Sequence, residues 1–250
     1  MTVLSVNVNK IALLRNSRGR DFPSVRGFVD QCLALGVKGI TVHPRPDERH
    51  ITRRDVSELS EMLKHHPQVE FNIEGYPSAE FLELVRRARP AQCTLVPDAP
   101  GQLTSDHGWN VMKNKKLLTD VLAQLRDKGI RSSLFIDPVI AEIEAAREVG
   151  PDRLELYTEE FAAAFGSIDE DAVFEKYRAA AARAGALDIG LNAGHDLNLD
   201  NLARFLQIPG ILEVSIGHAL IVECLQQGLH QVIRRYQAIT GEQGQKPLSD

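Results

Sequence analysis

Eight short apolar or alternating runs recur along the 250-residue chain, each followed by a helical pattern, and this alternation constrains the fold most. The runs are Leu4–Val8, Gly39–Val42, Val69–Glu74, Cys93–Pro97, Ser132–Asp137, Arg153–Tyr157, Leu187–Asn192 and Leu212–Ile216. Helical spacing covers Val25–Leu35, then a segment opening at Thr52-Arg53-Arg54-Asp55 with Val56, Leu59, Met62 and Leu63 on one face. Further helices run from a Ser78 cap to Ala88, over Leu117–Asp127, through an Ala/Glu-rich stretch to Val149, and over Asp169–Ala184, Leu199–Phe205 and Ala219–Thr240. Gly36, Pro67, Pro90, Gly129 and Gly150 stand where helices should stop. Asn9–Asp21 is expected as a polar loop, Asp98–Lys115 as the longest irregular stretch, and about 241–250 as a polar tail.

Regular β-α alternation implies parallel strands with crossover helices. Eight units over this length imply an α/β fold, a closed (β/α)8 TIM barrel forming one domain. An open doubly wound sheet is the alternative. It usually carries a glycine-rich phosphate loop after the first strand, where this chain reads Asn7-Val8-Asn9-Lys10. No apolar run reaches the ~20 residues of a membrane helix. The net charge of −5 speaks against a nucleic-acid partner. Three separated cysteines, Cys32, Cys93 and Cys224, fit reduced thiols in a cytoplasm and suggest no zinc site. A strand pattern beginning at Val3 or Leu4 leaves no room for a signal peptide, so a cytoplasmic location is expected.

In a parallel barrel all strands point their C-terminal ends at one rim. Asn7, His43, Glu74, Glu155, Asn192, His195 and His218 lie at or just past strand ends, so they should surround one mouth. Polar residues there are costly to bury without partners, which favours a site, although a polar plug closing the barrel is an alternative. The densest stretch follows strand two, where His43, Arg45, Asp47, Glu48, Arg49 and His50 crowd one loop. An ordinary solvated loop is the plainer reading of that stretch. His43, Glu74 and His195 are the acid–base candidates, because imidazoles titrate near neutrality and desolvation raises a carboxyl's proton affinity. Gly194 and Gly217, each followed by a histidine, could present main-chain donors to a phosphate, since the loops after strands seven and eight commonly do so. Arg15, Arg18, Arg45 and Arg49 add guanidinium forks for anions. His50, among cations, suits a phosphate or hydroxyl partner. Lys10 is a possible Schiff-base lysine without specific support, and His65-His66 suit a helix C-terminus. A divalent metal on His43, Glu74, His195 and His218 is the chemical rival. Such barrels carry His-x-His after strand one, whereas Asn7 and Asn9 stand here.

Taken together these segments resemble the pyridoxine 5′-phosphate synthase family over essentially the whole chain. The matching motifs are Ser5–Ala12 with Leu14–Gly19, Gly39–His43 with Arg45 and Asp47–Ile51, and Phe71–Glu74. Cys93–Pro97, Ser133–Asp137, Leu191–His195 and Ile216–Ala219 complete the set. The resemblance implies a TIM barrel condensing 1-deoxy-D-xylulose 5-phosphate with 3-amino-2-oxopropyl phosphate to pyridoxine 5′-phosphate, phosphate and water. It implies no metal, no organic cofactor and a homo-octamer. It also implies that His43 and Glu74 accept protons, His195 donates one, and Glu155 stabilises the transition state. Asn7, Arg18, Gly217 and His218 would contact the amino-ketone phosphate. Arg45, His50 and Thr104 would contact the xylulose phosphate, with Thr104 in a mobile lid. Two departures stand out. Asn9-Lys10 replaces a common Asp-His at the xylulose-phosphate contact, and Asp196 replaces the Gly that commonly follows the histidine. The Asp196 side chain is expected to turn away, leaving its backbone to the substrate.

Overall fold

The computed structural model describes residues 1–98, 102 and 105–242. Thr104 and residues 243–250 of the expected tail lie outside the described residues. The strands are β1 (Val3–Asn7), β2 (Gly39–Val42), β3 (Glu70–Gly75), β4 (Gln92–Leu95), β5 (Arg131–Ile136), β6 (Arg153–Tyr157), β7 (Gly190–Gly194) and β8 (Ile211–Ile216). They pair in parallel, in sequence order, and β8 closes on β1. The expected barrel is therefore the fold.

The helices are α1 (Asn9–Asn16), α2 (Val25–Ala34), α3 (Arg53–Leu63), α4 (Ala79–Ala88), α5 (Lys115–Asp127) and α6 (Ile140–Val149). They continue with α7 (Glu159–Ala164), α8 (Glu170–Ala186), α9 (Leu202–Phe205), α10 (His218–Gln227) and α11 (Leu229–Thr240). Their apolar faces pack on the outer side of the strands, and one hydrophobic core runs around the barrel. Local chemistry sets several starts. Thr52 and Asp55 form a reciprocal capping box at α3, and Ser78 accepts from the Phe81 N–H at 3.2 Å at α4.

Four expectations need correction. Asn9–Asn16 is helix rather than loop: its Asn7 Oδ1 accepts the Asn9 N–H at 3.0 Å, and Ile11, Ala12 and Arg15 share a buried face. The seventh strand begins at Gly190, because the Leu187 N–H still bonds to Arg183 and Ala184 carbonyls and Asp188 turns at φ 60°. The short helix α7, rich in Ala and Glu, was not expected at all. The last helix is two, broken at Gly228, whose φ of 86° and ψ of 146° no helix admits.

The barrel interior is layered. At its N-terminal end Arg131 pairs with Glu70 and bonds Gln92, while Arg153 donates to Asn192 at 3.0 Å and lies 3.6 Å from Glu213. Asn192 also donates to Gln92 at 3.2 Å. Asn192 is thus part of this polar floor, not of the rim, since it sits mid-strand in β7 beside Glu155 and Glu213. A polar plug does exist, built by Glu70, Gln92, Arg131, Arg153 and Glu213 together with Asn192, and it leaves the opposite rim for chemistry.

Candidate active site

His43 follows the last residue of β2, and His195 follows the last residue of β7, so both stand at the C-terminal rim. Glu74 comes from β3 and Glu155 from β6, both buried. The rim therefore gathers the three acid–base candidates from separate strands, while Glu155 lies mid-strand in β6 beside Asn192.

His43 is the best-fixed of them. Its N–H donates to the Asn9 side chain at 2.9 Å, tying the β1 loop to the end of β2. This gives Asn9 a structural task that its expected phosphate contact did not include. The ring lies between two carboxyls, Nδ1 at 3.9 Å from Glu74 and Nε2 at 3.8 Å from Asp98. Burial, aided by the charges of Arg45, His50 and Arg49, pushes its pKa well below the usual value, so the imidazole is neutral at pH 7. Burial moves Glu74 the other way, helped by Glu155, Glu213 and Asp98, raising its proton affinity well above that of an ordinary carboxylate. Glu155 is raised to about 8, again by burial first and then by Glu213. One Glu155 oxygen has no hydrogen-bond partner among the described residues, and the other lies where a Gly194 Cβ would stand. A side chain at position 194 would therefore displace the Glu155 carboxyl.

Asp98 escaped sequence reasoning. Its carboxylate accepts from Arg45 at 2.5 Å and from the Ser105 hydroxyl at 2.8 Å. The only signal was a carboxylate placed directly after the fourth strand run. Arg45 and Arg49 also donate to the Gln102 carbonyl, at 2.9 and 3.1 Å. His50 is neutral: burial and the charges of Arg45, Lys10 and Arg49 lower it to about 4, and its Nδ1 accepts the Ile51 N–H at 2.9 Å. A cavity of about 560 Å³ opens on this side, lined by His43, Arg45, Arg49, Tyr76 and Asp98 among others.

Arg15 does not belong to the rim. Its guanidinium is buried against Asp55 and also donates to the His50 carbonyl at 3.2 Å, so it supports the β2 loop instead of holding an anion. Arg18 is exposed in the turn after α1. Next to β2, Asn7 ends β1 against Gly217, where an added Cβ would come within 3.1 Å of the Asn7 Cβ. His218 opens α10, whose N-terminal N–H groups favour an anion. Lys10 lies near enough for its charge to act on both His50 and Asp196. The expected turn-away of Asp196 is not met: its carboxylate lies 2.8 Å from Nδ1 of His195.

The second half of the expected lid is core. Trp109 and Val111 are buried, the Trp109 indole donates to the Leu95 carbonyl at 2.9 Å, and its ring stacks on Tyr76. Among the described residues no group of three His, Cys, Asp or Glu side chains is arranged to hold a metal ion, and no helix is long and apolar enough to cross a membrane.

A closed parallel barrel with imidazoles and buried carboxyls gathered at its C-terminal rim defines a (β/α)8-barrel enzyme. Solved structures of low identity share this fold. The thiamine phosphate pyrophosphorylase from Pyrococcus furiosus superposes with a TM-score of 0.63 at 13% identity, over 96% of each chain. The tryptophan synthase A-subunit of a Pyrococcus furiosus structure gives 0.62 at 13%, over 96% of this chain and 97% of that one. Closer relatives narrow the class. The family described as "Pyridoxal phosphate biosynthesis protein PdxJ" matches residues 4–242, and the chain belongs to it. The pyridoxine 5′-phosphate synthase of Bacteroides thetaiotaomicron is 52% identical over 237 residues, and that of Christiangramia forsetii 50%, each covering 94% of this chain and 98% of the relative.

Proposed function

We propose that this enzyme works in vitamin B6 biosynthesis as a pyridoxine 5′-phosphate synthase, condensing 1-deoxy-D-xylulose 5-phosphate with 3-amino-2-oxopropyl phosphate. The products are pyridoxine 5′-phosphate, phosphate and water. The relatives at about half identity over nearly their full length support the reaction. The observation that carries the site assignment is the buried His43–Glu74 pair, a neutral imidazole 3.9 Å from a carboxyl of raised proton affinity.

The substrate amine attacks the ketone of the xylulose phosphate and gives an imine. Proton removal, assisted by Glu74 or His43, leads to loss of the xylulose phosphate group. Water then replaces the one lost at the imine, an aldol-type step closes the ring, and two hydroxyls leave as water to give the aromatic product, with His195 donating the proton that helps expel one of them. A protonated Glu155 spares the two anionic substrates one buried negative charge on entry. Glu155, carrying its proton, stabilises charge in the transition state as a hydrogen-bond donor.

Two phosphate grips hold the substrates. Asn7, Arg18, Gly217 and His218 take the amino-ketone phosphate at the α10 N-terminus. Arg45, His50 and Thr104, with Asn9-Lys10 beside them, take the xylulose phosphate. The Asp196 main chain contributes to the pocket. Holding both ends lets orientation supply much of the rate. A cytoplasmic homo-octamer using neither metal nor organic cofactor completes the proposal.

A barrel that binds phosphorylated metabolites without turnover is the rival. Mixing both substrates and identifying the product by mass separates the two readings. Pyridoxine 5′-phosphate formed one-to-one with phosphate is expected. Binding of both compounds with no phosphate release overturns the proposal.

A further inference from the structure

The turn after β7 keeps two consecutive non-glycine residues in the left-handed region, His195 at φ 83° and Asp196 at φ 58°. Such backbone costs energy and persists only where the surroundings over-determine it. Here they do. The buried Thr158, just past β6, shares its hydroxyl between the carbonyls of Gly194 and His195, and its N–H donates to Gly194 at 3.1 Å. From the far side the buried Asn201 donates to the Asp196 carbonyl at 3.2 Å.

The consequence is geometric. Neighbouring side chains on an extended strand point to opposite faces. The double left-handed turn brings this pair onto one side, with the Asp196 carboxylate 2.8 Å from Nδ1 of His195. The other flank of the imidazole meets the Tyr157 ring edge-on, centroids 5.0 Å apart. The charges around the pair come from several elements. His218 of α10 and Lys10 of α1 act on Asp196. Glu159 of α7, Asp106 and Asp137 act on Tyr157 alongside Asp196. The hydrogen bond from His195, outweighing partial burial, lowers the Asp196 pKa, so the carboxylate has no proton to give. Nδ1 must then be the donor of the pair.

Resting on the reading of His195 as the proton donor, we infer that Asp196 is its positioning residue: the carboxylate fixes the ring's orientation and keeps a proton on Nδ1, so that Nε2 is the atom that takes up a proton earlier in the cycle and then delivers it to the leaving hydroxyl. A carboxylate behind an imidazole does this in many acid–base sites, where the third group orients the second. Here one residue step along the chain supplies it.

The test uses Asp196→Asn, Asp196→Gly and His195→Ala in the full chain, with both substrates. Asp196→Gly relaxes the left-handed turn and guards against a folding artefact. In both Asp196 variants kcat is expected to fall about tenfold, a part of the ~10²–10⁴ a positioned acid supplies. KM for each substrate should stay within about twofold. The 15N resonances of the His195 ring should change from a single Nδ1–H tautomer to a mixture. Adding Asp196→Asn to His195→Ala should cost nothing further. If His195→Ala is inactive while both Asp196 variants keep the parent kcat and ring spectrum, the positioning role is overturned and the donor assignment stands. If His195→Ala turns over like the parent, the donor assignment itself falls.

Discussion

Replacing Glu213 by Gln should stabilise the protein above neutrality and do little in acid. Glu213 is 2% exposed on β8, one of its oxygens lacks a partner among the described residues, and Arg153 is 3.6 Å from the other. Burial raises its pKa from 4.5 to about 7, with Arg153 only partly opposing. In the unfolded chain the group ionises near 4.5, so between pH 4.5 and 7 the folded state binds the extra proton. Stability is then fully present below 4.5 and lost as pH rises through 7. At ~1.4 kcal/mol per pH unit the loss reaches about 3 kcal/mol. Glutamine resembles the protonated acid at every pH and escapes it. Any fixed cost of burying the second amide hydrogen is the same at both ends of the pH range and cancels in the comparison. Urea unfolding of parent and Glu213→Gln at pH 5 and pH 8 gives the readout. The variant's advantage should grow by roughly 2 kcal/mol between them, given that part of the loss has already occurred at pH 5. An advantage that is unchanged, or a variant that loses ground at pH 8, would refute the reasoning about the barrel floor.

Other perturbations follow from the same structure. Glu155→Gln should keep activity within about tenfold, because an amide still donates, and it should abolish the fall in kcat near pH 8 expected of the parent. A parent profile flat through pH 9 would count against a protonated Glu155. Arg15→Met strands the buried Asp55 carboxylate and should cost about 3–5 kcal/mol in thermal unfolding experiments; an unchanged Tm would deny the pair its role. Binding of both substrates should protect the chain between Asp98 and His107 from limited proteolysis. Gly108–Asn114, already anchored through Trp109 and Val111, should resist cleavage with or without ligand.

The barrel was legible because β-α alternation leaves few topologies, and the rim because parallel strands send their last residues to one end. His43, Glu74 and His195 needed only their strand-end positions; Glu155, read as a strand-end residue, lies mid-strand in β6 beside Asn192. The floor was not legible. Leu212 is exposed and Glu213 buried, the reverse of what hydropathy suggests, because the inner face of β8 is shared with Asn192 and Arg153. Arg15 read as an anion site since its partner Asp55 is remote in sequence. Helix α1 hid among polar residues because only three of its positions face the core. Asp196 folds back on His195 through a turn clamped by Thr158 and Asn201, and no local propensity announces such a clamp.

The division of labour at the rim can be tested most directly by a single-turnover quench with the enzyme in excess, following phosphate and the aromatic product separately. The parent should yield both in equal amounts. His43→Ala and Glu74→Gln should be blocked before phosphate is released, whereas His195→Ala should release phosphate and accumulate a non-aromatic intermediate. Equal rates of aromatic product from all four proteins would contradict the assignment of the chemistry to these residues.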